Sequence, residues 1–295
     1  MKLATLSDGR IAVIEGQDVI DISSLVGAEP AAWPPVAMLH LIDKFAEYRE
    51  RIATLVSSST REKLAGVRLG TPIPWPNKVI AYPANYHEHV EEMKRGTGLI
   101  SPFKANGQGF FLKANSSLSG PEDPIILPEI PGRQIHHEAE LAVIIGKKGR
   151  NIPRDQAMDY VFGYSCLVDV VVRGREERIM RKSYDSFCPV GPYIVTAEEI
   201  ADHTNIGFQL SINGTTRQSA NTRDLIVDIP AMIEMASAVM TLFPGDIIAS
   251  GTPAGVGPIE GGDRLDISIK GVGAMSLQVI QGDEGWHNVW EKSDA

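Results

Sequence analysis

Residues 136–146 (HHEAELAVIIG) constrain the fold most, because an almost unbroken apolar run here carries two carboxylates. The run ends in a glycine and is typical of a buried strand. Residues two apart on a strand share a face, so we expect Glu138 and Glu140 side by side, about 7 Å apart at the backbone. Unpaired, they would repel each other and resist ionisation. A divalent cation would remove that conflict, whereas glutamates that face solvent or meet an arginine need none.

The ligand type narrows the choice of metal. Hard oxygen ligands on a rigid strand suit Mg²⁺, Mn²⁺ or Ca²⁺ better than zinc. A third carboxylate, Asp169, lies in the middle of a second apolar run, residues 161–173. Burying a lone carboxylate is costly, so Asp169 needs a partner. The candidates are Arg173 and the same cation that is proposed for the two glutamates.

Residues 85–96 (NYHEHVEEMKRG) are predicted to form a short helix. On such a helix His89 lies beside Glu92 (i, i+3), and His87 lies beside Glu91 (i, i+4). A histidine oriented by a carboxylate can act as a general base. The alternative is a charged helix face exposed to solvent.

Two features follow this helix. Residues 96–109 contain four glycines, and this long stretch is typical of a lid over an active site. The next predicted strand, Gly109–Lys113, ends on a lysine.

Composition excludes several classes of function. The net charge is −9 and the pI is about 5.3, which argues against nucleic acid and anionic membranes as partners. A local basic pocket could still bind a small anion. We expect Cys166 and Cys188 to be reduced and structural. The N-terminus lacks the apolar segment of a signal peptide, and no run approaches 18 apolar residues, so a cytoplasmic protein is predicted.

The chain is predicted to divide into a small N-terminal β/α domain, residues 1–70, and a catalytic domain, residues 71–295. Short strands and an Asp8-Gly9 hairpin signal open the first part, and helical periodicity follows over residues 36–66. Three prolines within residues 69–77 indicate a linker. Most later elements read as strands, so the predicted fold class is α+β, mostly β. One later helix is expected from Asp228 to about Phe243.

Taken together, these residues resemble the fumarylacetoacetate hydrolase family. The resemblance covers residues 78–280, about two-thirds of the chain, and its specificity comes from seven motifs in the right order. The motifs are Asn85-Tyr86-x-x-His89-x-x-Glu92, the strand end at Lys113, Glu138-x-Glu140-Leu141-Ala142, Gly163-Tyr164 with Asp169-Val170 and Arg173, Lys182 through Pro192, Asn213-Gly214 with Arg217-Gln218, and Pro244-Gly245-Asp246 through Gly257.

The resemblance implies a mixed β-sandwich roll, usually a homodimer, of the acylpyruvase or 2-hydroxyhepta-2,4-diene-1,7-dioate isomerase branch. It implies Mg²⁺ or Mn²⁺ held by Glu138, Glu140 and Asp169, which agrees with the charge argument. The substrate would be a small anionic 2-oxo or diketo acid. The implied catalytic residues are His89, Glu92 and Lys113, and the implied substrate-binding residues are Lys182, Arg173, Gln218 and Thr252.

The chain departs from the family pattern at two places. The family commonly reads Asn-Asp-Val-x-Ala-Arg-Asp where this chain has residues 168–174 (VDVVVRG), and a Gln-Trp pair where this chain has residues 179–181 (IMR). Both departures leave the carboxylates and the His–Glu pair intact. They fall where a substrate would contact the protein.

The hypothesis that follows is metal-dependent hydrolysis of a C–C bond in a 1,3-diketo acid such as fumarylpyruvate. His89, oriented by Glu92, would activate water, and Lys113 or Lys182 would stabilise the oxyanion. The same stabilised enolate would also support a decarboxylase, or an isomerase or hydratase of a 2-oxo acid in aromatic catabolism. A non-catalytic module that binds small acids is the alternative from another class.

Overall fold

The structure, a computed structural model, describes residues 1–97 and 105–282. Residues 98–104 of the predicted lid lie outside the described residues. Within the two described ranges the strands are β1 (Lys2–Thr5), β2 (Ile11–Glu15), β3 (Asp18–Asp21), β4 (Glu62–Lys63), β5 (Val79–Ala81), β6 (Phe111–Lys113), β7 (Leu118–Ser119), β8 (Ile125–Leu127), β9 (Ile135–His137), β10 (Ala139–Ile145), β11 (Val161–Val168), β12 (Val171–Val172), β13 (Cys188–Thr196), β14 (Gly207–Ile212), β15 (Thr215–Asn221), β16 (Ile247–Ala249), β17 (Gly257–Pro258), β18 (Arg264–Ile269) and β19 (Gly273–Gln281). The α-helices there are α1 (Ser23–Val26), α2 (Ala37–Asp43), α3 (Phe45–Ser58), α4 (His87–Thr97), α5 (Ala105–Gln108), α6 (Arg178–Arg181) and α7 (Ile229–Val239).

Strand β10 lies deep in the largest sheet, between β11 and β16. All seven of its residues are buried. Leu141, Val143 and Ile145 enter one apolar core, while Ala142 and Ile144 enter a second core on the opposite face. Full burial of an aliphatic side chain is worth about 1.5–3 kcal/mol, so a strand packed on both faces is held firmly.

The predicted strand over residues 136–146 is divided in two. Residues 135–137 form β9, which pairs with β12 and β17 in a separate three-stranded sheet, and β10 begins at Ala139. Glu138 occupies the junction between the two sheets. The prediction of a buried apolar strand is therefore confirmed for residues 139–145, and the interruption at Glu138 was not predicted.

The N-terminal strands extend the same large sheet. Strand β1 pairs antiparallel with β13, with Lys2 opposite Val195, and β2, β3 and β4 follow in order. The sheet is thus continuous across the domain boundary predicted at residue 70, which stays a prediction. The helical periodicity predicted over residues 36–66 corresponds to two helices, α2 and α3, which meet at Lys44, and α3 ends at Ser58.

A five-stranded sheet, in the order β15-β14-β18-β19-β8, completes the described fold. Its β14–β15 hairpin turns at Asn213 and Gly214, whose φ values of 50° and 80° confirm the predicted turn. Helix α7 begins after Asp228, whose side chain accepts a hydrogen bond from the Ala231 N–H. These elements confirm the predicted class, a strand-dominated α+β fold. In the described part of the chain, no helix has the length and apolarity needed to cross a membrane.

Candidate active site

Three carboxylates meet where β10 begins and β11 ends. The antiparallel register places Ala139 opposite Val168, so Glu138, just before β10, faces Asp169, just after β11. The Asp169 N–H donates to the Glu138 carbonyl at 2.8 Å and extends the ladder by one step. Oxygens of Glu138, Glu140 and Asp169 all lie within 4.8 Å of one another, and all three residues are buried. The strand geometry thus brings together the three predicted metal ligands.

Two lysines neutralise part of this charge. The Lys182 ammonium donates to Glu138 Oε2 at 2.6 Å and to Asp169 Oδ2 at 2.5 Å. Lys113 Nζ donates to Asp169 Oδ1 at 2.5 Å. Burial alone would raise the pKa of Glu138, but Lys182 and Arg173 lower it well below its usual value. Burial would lower the pKa of Lys182, but the neighbouring carboxylates raise it instead.

Glu140 is the carboxylate of this cluster that no lysine or arginine of the described residues contacts. Its Oε2 accepts a hydrogen bond from the Gly251 N–H at 2.7 Å, and no lysine or arginine lies within 4.0 Å of it among the described residues. Burial, and then the negative charge of Asp169, raise the pKa of Glu140 well above its usual value. Like charges that are buried together resist ionisation in this way, as expected from the sequence for this pair of glutamates.

The predicted His–Glu pair is present on α4. His89 Nδ1 lies 2.9 Å from Glu92 Oε2, and His89 is only 4% exposed. Glu92 Oε1 accepts a second hydrogen bond, from the Gly255 N–H at 2.9 Å. Burial would raise the pKa of Glu92, but the bonds from His89 and Gly255 lower it. Glu92 is therefore charged at neutral pH and fixes the imidazole ring.

The other predicted pairing on this helix is absent. His87 is exposed, and Glu91 instead forms an ion pair with Lys94 at 2.6 Å. The helix also begins two residues later than predicted, at His87. The Asn85 side chain bonds the Val227 backbone and the Ser250 carbonyl, and so ties the segment before α4 to the core.

A cavity of about 410 Å³ joins the three carboxylates to His89. Its volume lies in the range of small-molecule sites. Seven of the ten predicted site residues line it, namely His89, Glu138, Glu140, Asp169, Arg173, Lys182 and Thr252. The other three, Glu92, Lys113 and Gln218, lie behind this lining.

Lys113 does not line the cavity, although the sequence predicts Lys113 or Lys182 at the oxyanion. Its side chain is fully buried, and its three donors go to Asp169 and to the carbonyls of Lys182 and Phe187, at 2.9 and 3.2 Å. No donor is left for a substrate. Lys113 therefore positions Asp169 and the segment that carries Lys182.

Gln218, which the sequence predicts to contact substrate, also uses its side chain to bond neighbouring protein groups. Its Oε1 accepts from the Ala139 N–H at 2.9 Å and lies 3.1 Å from His137 Nδ1. Its amide donates to Thr252 Oγ1 at 2.7 Å and to the Pro253 carbonyl at 2.9 Å. Because Thr252 accepts from Gln218, its own hydroxyl hydrogen is available to point into the cavity.

Two charged residues that line the cavity, Arg178 and Arg181, were not predicted from the sequence. Both come from helix α6, in a segment that reads only as charged. Their spacing of three residues was the available signal, since it places both on one helical face.

Replacing Lys113 with methionine should strongly destabilise the metal-free protein. The change removes one cation from a buried cluster and removes the Lys113 donor from two carbonyls, of which that of Phe187 still accepts from the Val170 N–H. We expect a loss of about 3 kcal/mol in the free energy of unfolding, measured by urea denaturation. The control is Lys94→Met, whose exposed pair with Glu91 should contribute less than about 1 kcal/mol. Equal losses in the two variants would contradict the positioning role.

Replacing Gly255 with alanine should disrupt the turn that holds Glu92. Gly255 has φ +96°, and a Cβ there would overlap the Arg217 carbonyl oxygen. We expect a loss of about 3 kcal/mol or more, since backbone strain of about 1–3 kcal/mol adds to the overlap. Gly262→Ala is the matched control, because Gly262 has φ +101° but open space around it. If urea denaturation gave the same loss of unfolding free energy for both variants, the overlap with the Arg217 carbonyl would not contribute to it.

Comparison with known proteins identifies the family. Residues 78–280 match the family model described as the fumarylacetoacetate (FAA) hydrolase C-terminal domain. The chain belongs to the fumarylacetoacetate hydrolase family. The resemblance drawn from the seven motifs, and its span of residues 78–280, are thereby confirmed.

Among curated relatives, the maleylpyruvate hydrolase of Aquipseudomonas alcaligenes is 39% identical over 285 residues, which cover 95% of this chain and 99% of that protein. A solved structure of maleylpyruvate hydrolase from Sphingobium sp. SYK-6, in complex with manganese(II) and pyruvate, is 51% identical with a TM-score of 0.88. That match covers 96% of this chain and all of the other. A probable 2-hydroxyhepta-2,4-diene-1,7-dioate isomerase of Mycobacterium abscessus is 28% identical, with a TM-score of 0.78, and the match covers 96% and 99% of the two chains.

Proposed function

We propose that this protein hydrolyses the carbon–carbon bond of an acylpyruvate and releases pyruvate and a carboxylic acid. The observation that carries the proposal is the placement of His89, held by Glu92, in one cavity with three buried carboxylates. The relatives support it, because two are maleylpyruvate hydrolases and one of these was solved with Mn²⁺ and pyruvate.

The proposed metal ligands are Glu138, Glu140 and Asp169. The site fits a divalent cation because three carboxylate oxygens converge and the charge on Glu140 is not offset by a contacting lysine or arginine among the described residues. An all-carboxylate set suits Mg²⁺ or Mn²⁺, with Ca²⁺ possible by ligand type. When bound, such an ion supplies the Lewis acidity that polarises the carbonyl of a 2-oxo acid.

His89 is proposed as the general base. Glu92 accepts from Nδ1–H, so in the neutral ring the lone pair lies on Nε2, which can accept a proton. Nε2 removes a proton from water, and the resulting hydroxide adds to the acyl carbonyl carbon. The bond between that carbon and the adjacent CH₂ then breaks. Its electron pair passes to the pyruvate fragment, which takes up the proton that His89 received.

Lys182 is proposed to stabilise the oxyanion at the acyl carbon. An ammonium has three donors, and two of them bind Glu138 and Asp169. The third is available to the cavity that Lys182 lines. Arg173 and Thr252, also in the lining, are proposed to hold the carboxylate or carbonyl oxygens of the substrate.

Hydrolysis is favoured over isomerisation because this chain is more similar to the hydrolase than to the isomerase. The Sphingobium hydrolase is 51% identical to this chain, and the mycobacterial isomerase is 28% identical. The test is pyruvate release from fumarylpyruvate, maleylpyruvate and oxaloacetate, with and without Mn²⁺. Metal-dependent release from the two acylpyruvates supports the proposal. Release from oxaloacetate alone would indicate a decarboxylase, and no release from any of the three would overturn catalysis of this type.

We also propose that the protein acts as a cytoplasmic homodimer, as the family resemblance implies. Cys166 and Cys188 are both buried and form no disulfide, which suits a reducing compartment. Sedimentation equilibrium of the purified protein tests the dimer, and a mass of 32.0 kDa in solution would contradict it.

A further inference from the structure

In helix α6 the arginines face the cavity and the apolar side chains face solvent. Arg178 and Arg181, three residues apart, are half-buried and line the cavity. Between them, Ile179 and Met180 are 48% and 43% exposed. A surface helix normally turns its apolar residues inward and its charged residues outward. The inversion on α6 points to a charged occupant of the cavity.

Both guanidinium groups are held by contacts with the protein, and each keeps N–H donors that these contacts do not use. Arg178 donates to Gln108 Oε1 at 2.8 Å, and its Cζ lies 5.2 Å from the centre of the Phe111 ring. Arg181 donates to the backbone carbonyls of Glu176 and Val172, at 2.8 and 3.1 Å. Each guanidinium has five N–H donors, so several remain after these contacts. No carboxylate oxygen among the described residues lies within 4.0 Å of either group.

The rest of the site already balances its charge. Lys113, Arg173, Lys182 and a divalent ion would carry five positive charges, against the four negative charges of Glu92, Glu138, Glu140 and Asp169. The carboxylate of one bound 2-oxo acid matches the excess of one. The charges of Arg178 and Arg181 then have no counterpart. Burial lowers the pKa of both guanidinium groups, and repulsion from Arg178 and Arg173 lowers that of Arg181 further. An additional anion would relieve this unfavourable arrangement.

We propose that Arg178 and Arg181 bind a second carboxylate at the far end of the substrate. The enzyme would therefore select dicarboxylic acylpyruvates over those with an uncharged acyl tail. This assignment rests on the proposed function, because it takes the 2-oxo acid end to lie at Glu138, Glu140 and Asp169. The planar guanidinium fork suits the purpose, since it matches the two oxygens of a carboxylate.

The test compares two ligands that cannot be cleaved, 2-oxoadipate and 2-oxohexanoate, by calorimetric titration of the Mn²⁺-loaded protein. They have the same number of carbons and differ in the terminal carboxylate. We expect the wild type to bind 2-oxoadipate about 10- to 100-fold more tightly, as hydrogen bonds to charged groups would give. The double variant Arg178→Met with Arg181→Met should lose this preference and keep its affinity for 2-oxohexanoate within about threefold.

The control is Arg175→Met, which changes an exposed arginine of the same segment outside the cavity lining and should keep the preference. A wild type without preference, or a double variant that retains it, would overturn the assignment. Equal losses for both ligands would also overturn it, because they would indicate a structural role. A wild type that prefers 2-oxoadipate but releases no pyruvate from acylpyruvates would overturn the proposed hydrolase and leave the carboxylate subsite standing.

Discussion

Replacing Glu140 with glutamine is expected to lower Mn²⁺ affinity by at least about 100-fold and to remove measurable pyruvate release. Glu140 supplies one of three carboxylate oxygens that lie within 4.8 Å of one another. Glutamine keeps the shape of the side chain and can still accept from the Gly251 N–H. The change therefore removes a charge and a ligand with little change in packing. Loss of an outer-shell partner already costs about 10- to 100-fold in metal affinity, and a direct ligand should cost more.

The same variant should be more stable than the wild type when both are metal-free. Burial and Asp169 raise the pKa of Glu140 in the folded state. An acid whose folded pKa exceeds its unfolded pKa binds its proton more tightly when folded, so its ionisation lowers stability as pH rises above the unfolded pKa. Glutamine has no such penalty. The stability gain measured by urea denaturation should be present at pH 7 and small near pH 4.

This combination separates a role in the site from a role in folding. A variant that loses metal and activity while gaining stability cannot owe its defect to unfolding. Glu129→Gln, at an exposed position outside this cavity, is the control and should leave metal affinity and stability unchanged. Unchanged metal affinity in Glu140→Gln would contradict the proposed ligand set, as would a destabilised metal-free protein.

Replacing His89 with glutamine is expected to reduce kcat by about 10²- to 10⁴-fold, the usual contribution of a general base. Glutamine can still hydrogen-bond to Glu92, but it cannot accept a proton at neutral pH. Mn²⁺ affinity should stay within about threefold of wild type, because His89 is not one of the three proposed ligands. Steady-state pyruvate release and a metal titration on the same preparation measure the two effects.

His87→Gln provides the matched control, since His87 lies exposed on the same helix. It should leave both kcat and Mn²⁺ affinity unchanged. If His89→Gln kept kcat within threefold, water would be activated by another group. If it lost metal affinity along with activity, His89 would belong to the metal ligands.

The carboxylate cluster could be predicted from the sequence because its signals are local. Glu138, Glu140 and Asp169 each stand in an apolar run, where a buried charge needs a partner. The His89–Glu92 pair is likewise encoded by a spacing of three residues on one helix. In each case the chemistry of the residue and its immediate neighbours was enough to identify a candidate.

The remaining features depend on long-range hydrogen bonds that no local pattern encodes. Lys113 and Gln218 carry suitable polar groups, but their donors and acceptors are used by backbone and side chains distant in sequence. The pairing of β1 with β13 joins residues about 190 positions apart and makes the sheet continuous across residue 70. The inward face of α6, with Arg178 and Arg181, follows from how that short helix docks and not from its own composition.

Product analysis in H₂¹⁸O shows whether water cleaves the carbon–carbon bond of an acylpyruvate. The Mn²⁺-loaded enzyme is supplied with maleylpyruvate, and both products are measured by mass spectrometry. The mechanism predicts pyruvate and an equimolar carboxylic acid that has gained one ¹⁸O from solvent in its new carboxyl group. An isomerised substrate without pyruvate, or loss of CO₂ with the acyl chain intact, would contradict hydrolysis of the carbon–carbon bond.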